Sequence, residues 1–179
     1  KDVMNGKNVD LRAYNLSKEN KFFIQNLKNK IQSDNKFAFN ALSENNPQEI
    51  KDFALIQILS NGSAKDLERL FSLQITYNAS MKPSLIQAFV AHSDVFNAQN
   101  LSDICKQMHF CAQDYVELAQ QSQNILQPDA WYKLFESLAN NDEHAENALF
   151  YVMFELEMIE KAKERRALHG KDEYRLIDA

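Results

Sequence analysis

Two cysteines and a histidine in the middle of the chain are the residues whose types and spacing come nearest to a metal site. Cys105 and His109 are four residues apart, which places both on one face of a continuous helix. Thiolate and imidazole both bind zinc, but a tetrahedral site needs four ligands, and no second pair with ligand spacing occurs in the sequence. We therefore expect no metal ion, and we interpret Cys105 and Cys111 as core residues because free cysteine is commonly buried.

The rest of the sequence gives little support to catalysis. A Cys105–His109 nucleophile pair would need a lowered thiol pKa and a third residue to orient the imidazole, and the sequence offers neither that residue nor a Gly-rich oxyanion turn. The chain has no Glu-x-x-His pair of the kind that binds two metals in helical bundles, and no Gly-rich phosphate loop. We expect no cofactor and favour a non-catalytic protein. The alternative is an enzyme or small-ligand-binding helical domain with a pocket between helices.

The last predicted helix carries two apolar strips. The first is a heptad seam formed by Ala145, Leu149, Val152, Leu156 and Ile159. The second lies beside it and consists of Phe150, Met153, Phe154 and Met158. We predict that the second strip binds a protein partner or a second copy of the chain, because Met and Phe are enriched at such surfaces. The alternative is a central helix that buries both strips. Beyond Glu160 we expect the charged end of this helix to project into solvent.

The elements that must position these residues are helices. With 3 Gly and 3 Pro in 179 residues, the chain lacks the turn residues of an all-β sandwich or barrel. Strand-like alternation is confined to residues 73–77, which we interpret as a helix end and loop. Asp34 can cap a short helix. The clearest helix starts are Asn46 as a cap before Pro47, Ser63 with Asp66, Pro83, the region of Asn100, and Pro128. The sequence predicts an all-α fold of seven to nine helices, with a long last helix from about Asp142 to Leu168.

The helices show one internal regularity. Three segments share the spacing Pro-x-x-apolar-x-x-apolar, which is typical of helical hairpins that stack on one another. They begin at Pro47, Pro83 and Pro128. Because the intervals are unequal, both an irregular bundle and a short α-solenoid of stacked hairpins stay open. We assign residues 1–16 to an extended arm, residues 17–170 to a single helical domain and residues 171–179 to a polar tail.

Charge and composition restrict the partners. Residues 37–160 carry 6 basic and 17 acidic groups, whereas residues 1–36 carry 8 basic and 4 acidic groups. An acidic body repels a phosphate backbone, so we do not expect nucleic acid to be the main partner. No apolar run reaches the roughly 18 residues of a transmembrane helix. Two cysteines do not make a disulfide framework, and with no visible signal segment this favours the cytoplasm.

These observations together predict a non-catalytic helical protein–protein interaction module. Such a scaffold or adaptor would bind a partner, or a second copy in an oligomer, through apolar helix faces. The predicted partner-binding residues are Phe150, Met153, Phe154 and Met158.

Overall fold

The computed structural model describes residues 17–43, 45–156 and 163–167, and in these ranges the chain forms helices and loops without any strand. This confirms the all-α prediction for the described part of the chain. The α-helices are α1 (Ser17–Ser33), α2 (Asn35–Ala41), α3 (Gln48–Asn61), α4 (Ala64–Phe71), α5 (Lys82–Ala91), α6 (Ala98–Gln107), α7 (Ala112–Ser122), α8 (Pro128–Asn141) and α9 (Glu143–Glu155). None of the helices within these ranges combines the length and apolar character that a membrane crossing requires.

The segment Lys1–Gly62 is one compact unit, whose described part contains α1, α2 and α3. Each of these three helices packs against the other two. Their facing sides bury Ile24, Leu27, Ile31, Phe39, Ile50, Leu55 and Ile58. At the surface, Lys28 Nζ of α1 lies 2.7 Å from Glu49 Oε1 of α3. The predicted arm, residues 1–16, lies outside the described residues.

Local capping sets the starts of the helices in this unit. Asp34 caps α2 as predicted, because its carboxylate accepts a hydrogen bond of 2.8 Å from the backbone N–H of Lys36. At α3 the prediction is wrong by one residue. Pro47 is the N-cap, and the side-chain amide of Asn46 instead donates to the carbonyl oxygen of Ala41 at 3.0 Å. Asn46 therefore ties the loop to the end of α2.

The segment Ser63–Ala179 is the second compact unit and contains α4 to α9. Helix α9 packs against both α7 and α8, while α5 packs against α7 and α6 against α8. The largest side chains that this packing buries are Trp131, Tyr115, Phe89, Phe135 and Phe150. The indole Nε1–H of Trp131 donates to the carbonyl oxygen of Ala119 at 2.9 Å, so the polar atom of the largest core residue is satisfied.

Capping boxes fix two helix starts in the second unit. At α4, Ser63 and Asp66 exchange side-chain to backbone hydrogen bonds of 3.2 and 3.0 Å, as the sequence predicts. At α6, Asn97 is the cap and Asn100 is its partner in the box, so the helix begins slightly earlier than predicted. Residues 74–78 form neither helix nor strand, which confirms the prediction of a loop.

The last helix is shorter than predicted. Helix α9 ends at Glu155, residues 163–167 form a separate helical segment, and residues 157–162 and 168–179, with the predicted polar tail, lie outside the described residues. In a straight helix Arg165 would lie roughly 28 Å from Glu146. Instead Arg165 Nε is 3.6 Å from Glu146 Oε1, so α9 and the 163–167 segment are not parts of one straight helix. The expectation that this charged end projects into solvent is therefore wrong for Arg165, which is 2% exposed.

Candidate interaction surface

The predicted partner-binding strip divides between the interior and the surface of the second unit. Phe150 and Met153 are completely buried, whereas the side chain of Phe154 is 50% exposed. Met158 lies outside the described residues. Helix α9 contacts α7 and α8 and so buries a wide arc of its circumference, which includes the positions of Phe150 and Met153. Of the strip, Phe154 is the described residue that is available to a partner.

Phe154 belongs to a mixed surface at the end of α9, which we call the α9-end surface and define as Tyr151, Phe154 and Glu155. These residues are three or four positions apart and so share one side of the helix. Beside Phe154, Glu155 Oε2 accepts a hydrogen bond of 2.8 Å from Gln120 Nε2 of α7. Tyr151 also donates a hydrogen bond to Glu155, and this bond and the carboxylate charge raise the pKa of the tyrosine. The surface thus combines a large apolar side chain with a polar rim.

A pocket of about 620 Å³ lies on the same unit, between the loop that follows α4 and one side of α6. Apolar walls come from Phe71, Ile75 and Ile104, and polar groups from Asn100 and Asp103. Tyr77 and Gln107 also line the pocket, and the backbone N–H of Tyr77 donates to Gln107 Oε1 at 3.2 Å. Burial raises the pKa of the Tyr77 hydroxyl to about 12, so this group is a neutral hydrogen-bonding group at physiological pH.

The cysteines and His109 do not share one helix. Helix α6 ends at Gln107, and Cys111 is the N-cap of α7, so a turn separates them. Cys105 is completely buried, and this burial raises the pKa of its thiol well above the usual value, which makes it a poor nucleophile. Cys111 is exposed and free. Among the described residues no group of three or more His, Cys, Asp or Glu side chains is placed to hold a metal ion.

His109 has a backbone role instead. Its φ is 57°, and the N–H groups of His109 and Phe110 donate to the carbonyl oxygens of Lys106 and Cys105 at 3.1 and 3.0 Å. This is the hydrogen-bond pattern of a Schellman motif, in which the position of His109 is usually glycine. The chain therefore ends α6 with a histidine in a left-handed conformation that costs most non-glycine residues about 1–2 kcal/mol.

We expect His109→Gly to raise the free energy of unfolding by about 0.5–1 kcal/mol. Glycine adopts the left-handed conformation without this cost, but it also increases the entropy of the unfolded chain, which offsets part of the gain. Urea denaturation measures the change. His144→Gly is the matched control, since His144 is also exposed but lies in the first turn of α9, where glycine is expected to destabilise the helix. Equal losses of stability in the two variants would contradict the assignment of the motif.

A buried tyrosine fixes the start of α9. The Tyr115 hydroxyl donates to Asp142 Oδ2 at 3.0 Å, while Oδ1 of the same aspartate accepts from the backbone N–H of His144 at 2.9 Å and caps α9. Burial raises the pKa of Tyr115, with further contributions from Cys105 and Asp142, so the hydroxyl stays protonated. The bond links α7 to the first turn of α9 and so orients the helix that carries Phe154.

Sequence reasoning missed a polar cluster around a buried arginine, which we call the Arg165 cluster and define as Arg165, Glu136, Asn140 and Glu146. Arg165 Nη2 donates to Asn140 Oδ1 at 3.0 Å, and its Nη1 lies 3.7 Å from Glu136 Oε2. The side chains of Arg165 and Glu146 are 1% and 8% exposed. A signal was present in the sequence: Glu146 precedes Phe150 by four residues and Met153 by seven, so it shares their face of α9. A carboxylate on a buried face requires a cation.

Comparisons with protein-family models, with curated proteins and with solved structures find no match for this chain. The candidate site therefore rests on its own geometry.

Proposed function

We propose that the protein is a non-catalytic helical interaction module, a scaffold or adaptor, that binds a protein partner through the α9-end surface. The observation that supports this most directly is the half-exposed Phe154, which directly follows the completely buried Val152 and Met153 on the same helix. An exposed aromatic side chain that rests on a packed core is a typical anchor residue of protein–protein interfaces.

The support beneath Phe154 matters for this proposal. Phe150 and Met153, four residues and one residue earlier, are fixed in the core of the second unit. The Tyr115 hydroxyl donates a hydrogen bond of 3.0 Å to Asp142 Oδ2, and this bond holds the start of the same helix in place. A partner that covers Phe154 therefore meets a surface that is already ordered, and less conformational entropy is lost on binding.

The polar rim carries a negative charge. Glu155 is held by Gln120 and Tyr151 and is exposed, so it presents a carboxylate beside Phe154. A partner that places an apolar side chain on Phe154 and a lysine or arginine near Glu155 would fit this surface. Rim charges of this kind contribute chiefly to selectivity and to the association rate.

The test compares Phe154→Glu with Ile125→Glu. Ile125 is an exposed apolar residue of the same unit, at 39% exposure, but it lies outside the α9-end surface. With the tagged protein as bait in extracts of its own source, Phe154→Glu is expected to lose at least tenfold of the captured partner, while Ile125→Glu keeps it. Circular dichroism verifies that both variants are folded. Equal capture by wild type and Phe154→Glu would exclude this surface.

The alternative function is small-ligand binding in the pocket beside α6, with or without chemistry on that ligand. A volume of about 620 Å³ and the mixture of Ile104, Tyr77 and Asp103 in its lining favour this alternative. A thermal-shift screen separates the two functions, because a ligand at a hundred times its Kd stabilises a protein by about 2.7 kcal/mol. A stabilising compound whose effect is lost in Asp103→Ala would favour the pocket. Stabilisation by a protein partner alone would favour the interaction module.

A further inference from the structure

Of the described residues that line the pocket beside α6, one carries a charge. That residue is Asp103, whose two carboxylate oxygens each lie 3.1 Å from Nε2 of Gln99, one turn earlier on the same helix. The amide orients the carboxylate and leaves it free lone pairs, because an ionised carboxyl group accepts about four hydrogen bonds. The charge of the pocket therefore favours a cation and disfavours phosphate and carboxylate groups.

The apolar wall of the pocket is packed against the interior of the second unit. The ring of Phe71 lies 4.9 Å, centroid to centroid, from that of Phe96, and Phe96 lies 5.3 Å from Phe89, which is 1% exposed. Ile104 adds an apolar side chain that is 5% exposed. An apolar group that enters the pocket meets side chains already fixed by packing, so little side-chain entropy is lost on binding.

Several polar groups of the lining have no partner in the described part of the chain. Tyr77 is 6% exposed, yet its hydroxyl makes no hydrogen bond with any described residue. The backbone N–H groups of Gln74, Ile75 and Thr76 make none with described residues either. The polar atom of a side chain as buried as Tyr77 is usually hydrogen-bonded. A ligand that carries a polar group would supply the missing partner.

We propose that this pocket binds a small organic amine, with its apolar body against Phe71 and Ile104 and its protonated nitrogen at Asp103. A single carboxylate matches a monovalent cation, whereas calcium or magnesium would need further oxygen ligands. The volume of about 620 Å³ is in the range of small-molecule sites. The inference rests on the alternative function, small-ligand binding beside α6, and specifies the charge and chemical class of that ligand.

Matched compounds test this class of ligand. Tryptamine, tryptophol and indole-3-propanoate share an indole ring and an ethylene chain, and they end in an ammonium, a hydroxyl and a carboxylate group. The phenyl analogues 2-phenylethylamine, 2-phenylethanol and 3-phenylpropanoate repeat the series with a smaller ring. Ligand-observed nuclear magnetic resonance with the full chain measures each Kd. We expect the amine to bind about three- to fivefold more tightly than the alcohol, as for a contact with an exposed carboxylate, and the acid to bind most weakly.

Two substitutions locate the bound amine. Asp103→Asn is expected to remove the preference, so that amine and alcohol bind about equally. Asp94→Asn is the matched control and is expected to keep it, because Asp94 is an exposed aspartate of the same unit that does not line the pocket. Tyr77→Phe removes the hydroxyl alone and is expected to weaken amine binding about three- to tenfold. It is expected to leave the melting temperature of the ligand-free protein unchanged, since that hydroxyl has no partner among the described residues.

Three results would overturn the proposal. If the alcohol or the acid binds as tightly as the amine, the ligand class is wrong, although the pocket is still a small-ligand site. If neither series binds, the pocket is no amine site. If the amine binds but neither Asp103→Asn nor Tyr77→Phe weakens its binding, it occupies another part of the protein. Phe154→Glu is expected to bind tryptamine like wild type, so failure of the α9-end surface and failure of the amine site are distinguishable.

Discussion

Replacement of Met153 by glutamate is expected to unfold the second unit, whereas the same replacement at the neighbouring Phe154 is expected to leave it folded. Met153 is completely buried, and a carboxylate there would be transferred from water into an apolar interior without a cation. We expect a loss of roughly 4 kcal/mol or more, which is a large part of the stability of an ordinary domain. Urea denaturation followed by circular dichroism measures this loss.

Two control variants accompany that measurement. Phe154→Glu is expected to change the free energy of unfolding by less than about 0.5 kcal/mol, because its side chain is half in solvent. Met153→Leu conserves volume and apolar character and is expected to cost less than about 1.5 kcal/mol. If Met153→Glu had the wild-type midpoint, residue 153 would be accessible to solvent, and the whole predicted strip would be a binding surface.

Replacement of Arg165 by methionine is the second change with a large expected effect. It would leave the carboxylate of Glu146, which is 6% exposed, without the guanidinium that faces it. Removal of one partner from a buried ion pair typically costs about 3–5 kcal/mol. The double variant Arg165→Met/Glu146→Leu removes the buried carboxylate as well, and we expect it to recover most of the lost stability.

Chemical denaturation of this variant beside wild type measures the effect. Lys163→Met provides the matched control, because Lys163 lies on the same short segment but is exposed. We expect it to have a wild-type midpoint. If Arg165→Met were no less stable than Lys163→Met, the 163–167 segment would contribute nothing to the folded monomer.

The helix starts of this protein were predictable because their causes are local. Ser63 with Asp66, and Asp34 before α2, are capping residues whose partners lie within three positions along the chain. The assignment of residues 73–77 to a loop followed similarly from the shortness of an isolated alternating segment. Proline marked the start of α8 at Pro128 itself, whereas Pro47 proved to be the cap that precedes α3.

The features that sequence reasoning missed are fixed by distant contacts. Nothing near Arg165 in the sequence indicates that Asn140, 25 residues earlier, accepts its hydrogen bond. The end of α9 at Glu155 could not be predicted either. No Gly or Pro follows it before Gly170, and the residue types that come next mostly favour helix. Within the predicted strip, the division between Met153 and Phe154 depends on how α7 and α8 cover α9. Helical periodicity alone does not contain that information.

Trp131 gives the protein a built-in optical probe. It is the single tryptophan of the chain, it is 1% exposed, and it belongs to the compact unit Ser63–Ala179. Its fluorescence therefore reports on the packing of that unit, whereas far-ultraviolet ellipticity sums the helices of both units. Coincident unfolding curves from the two signals would mean that both units unfold in one cooperative transition. Separate curves would mean that the two units differ in stability. Tryptophan fluorescence would then measure the unfolding of residues 63–179, and the remaining change in ellipticity would measure that of residues 1–62.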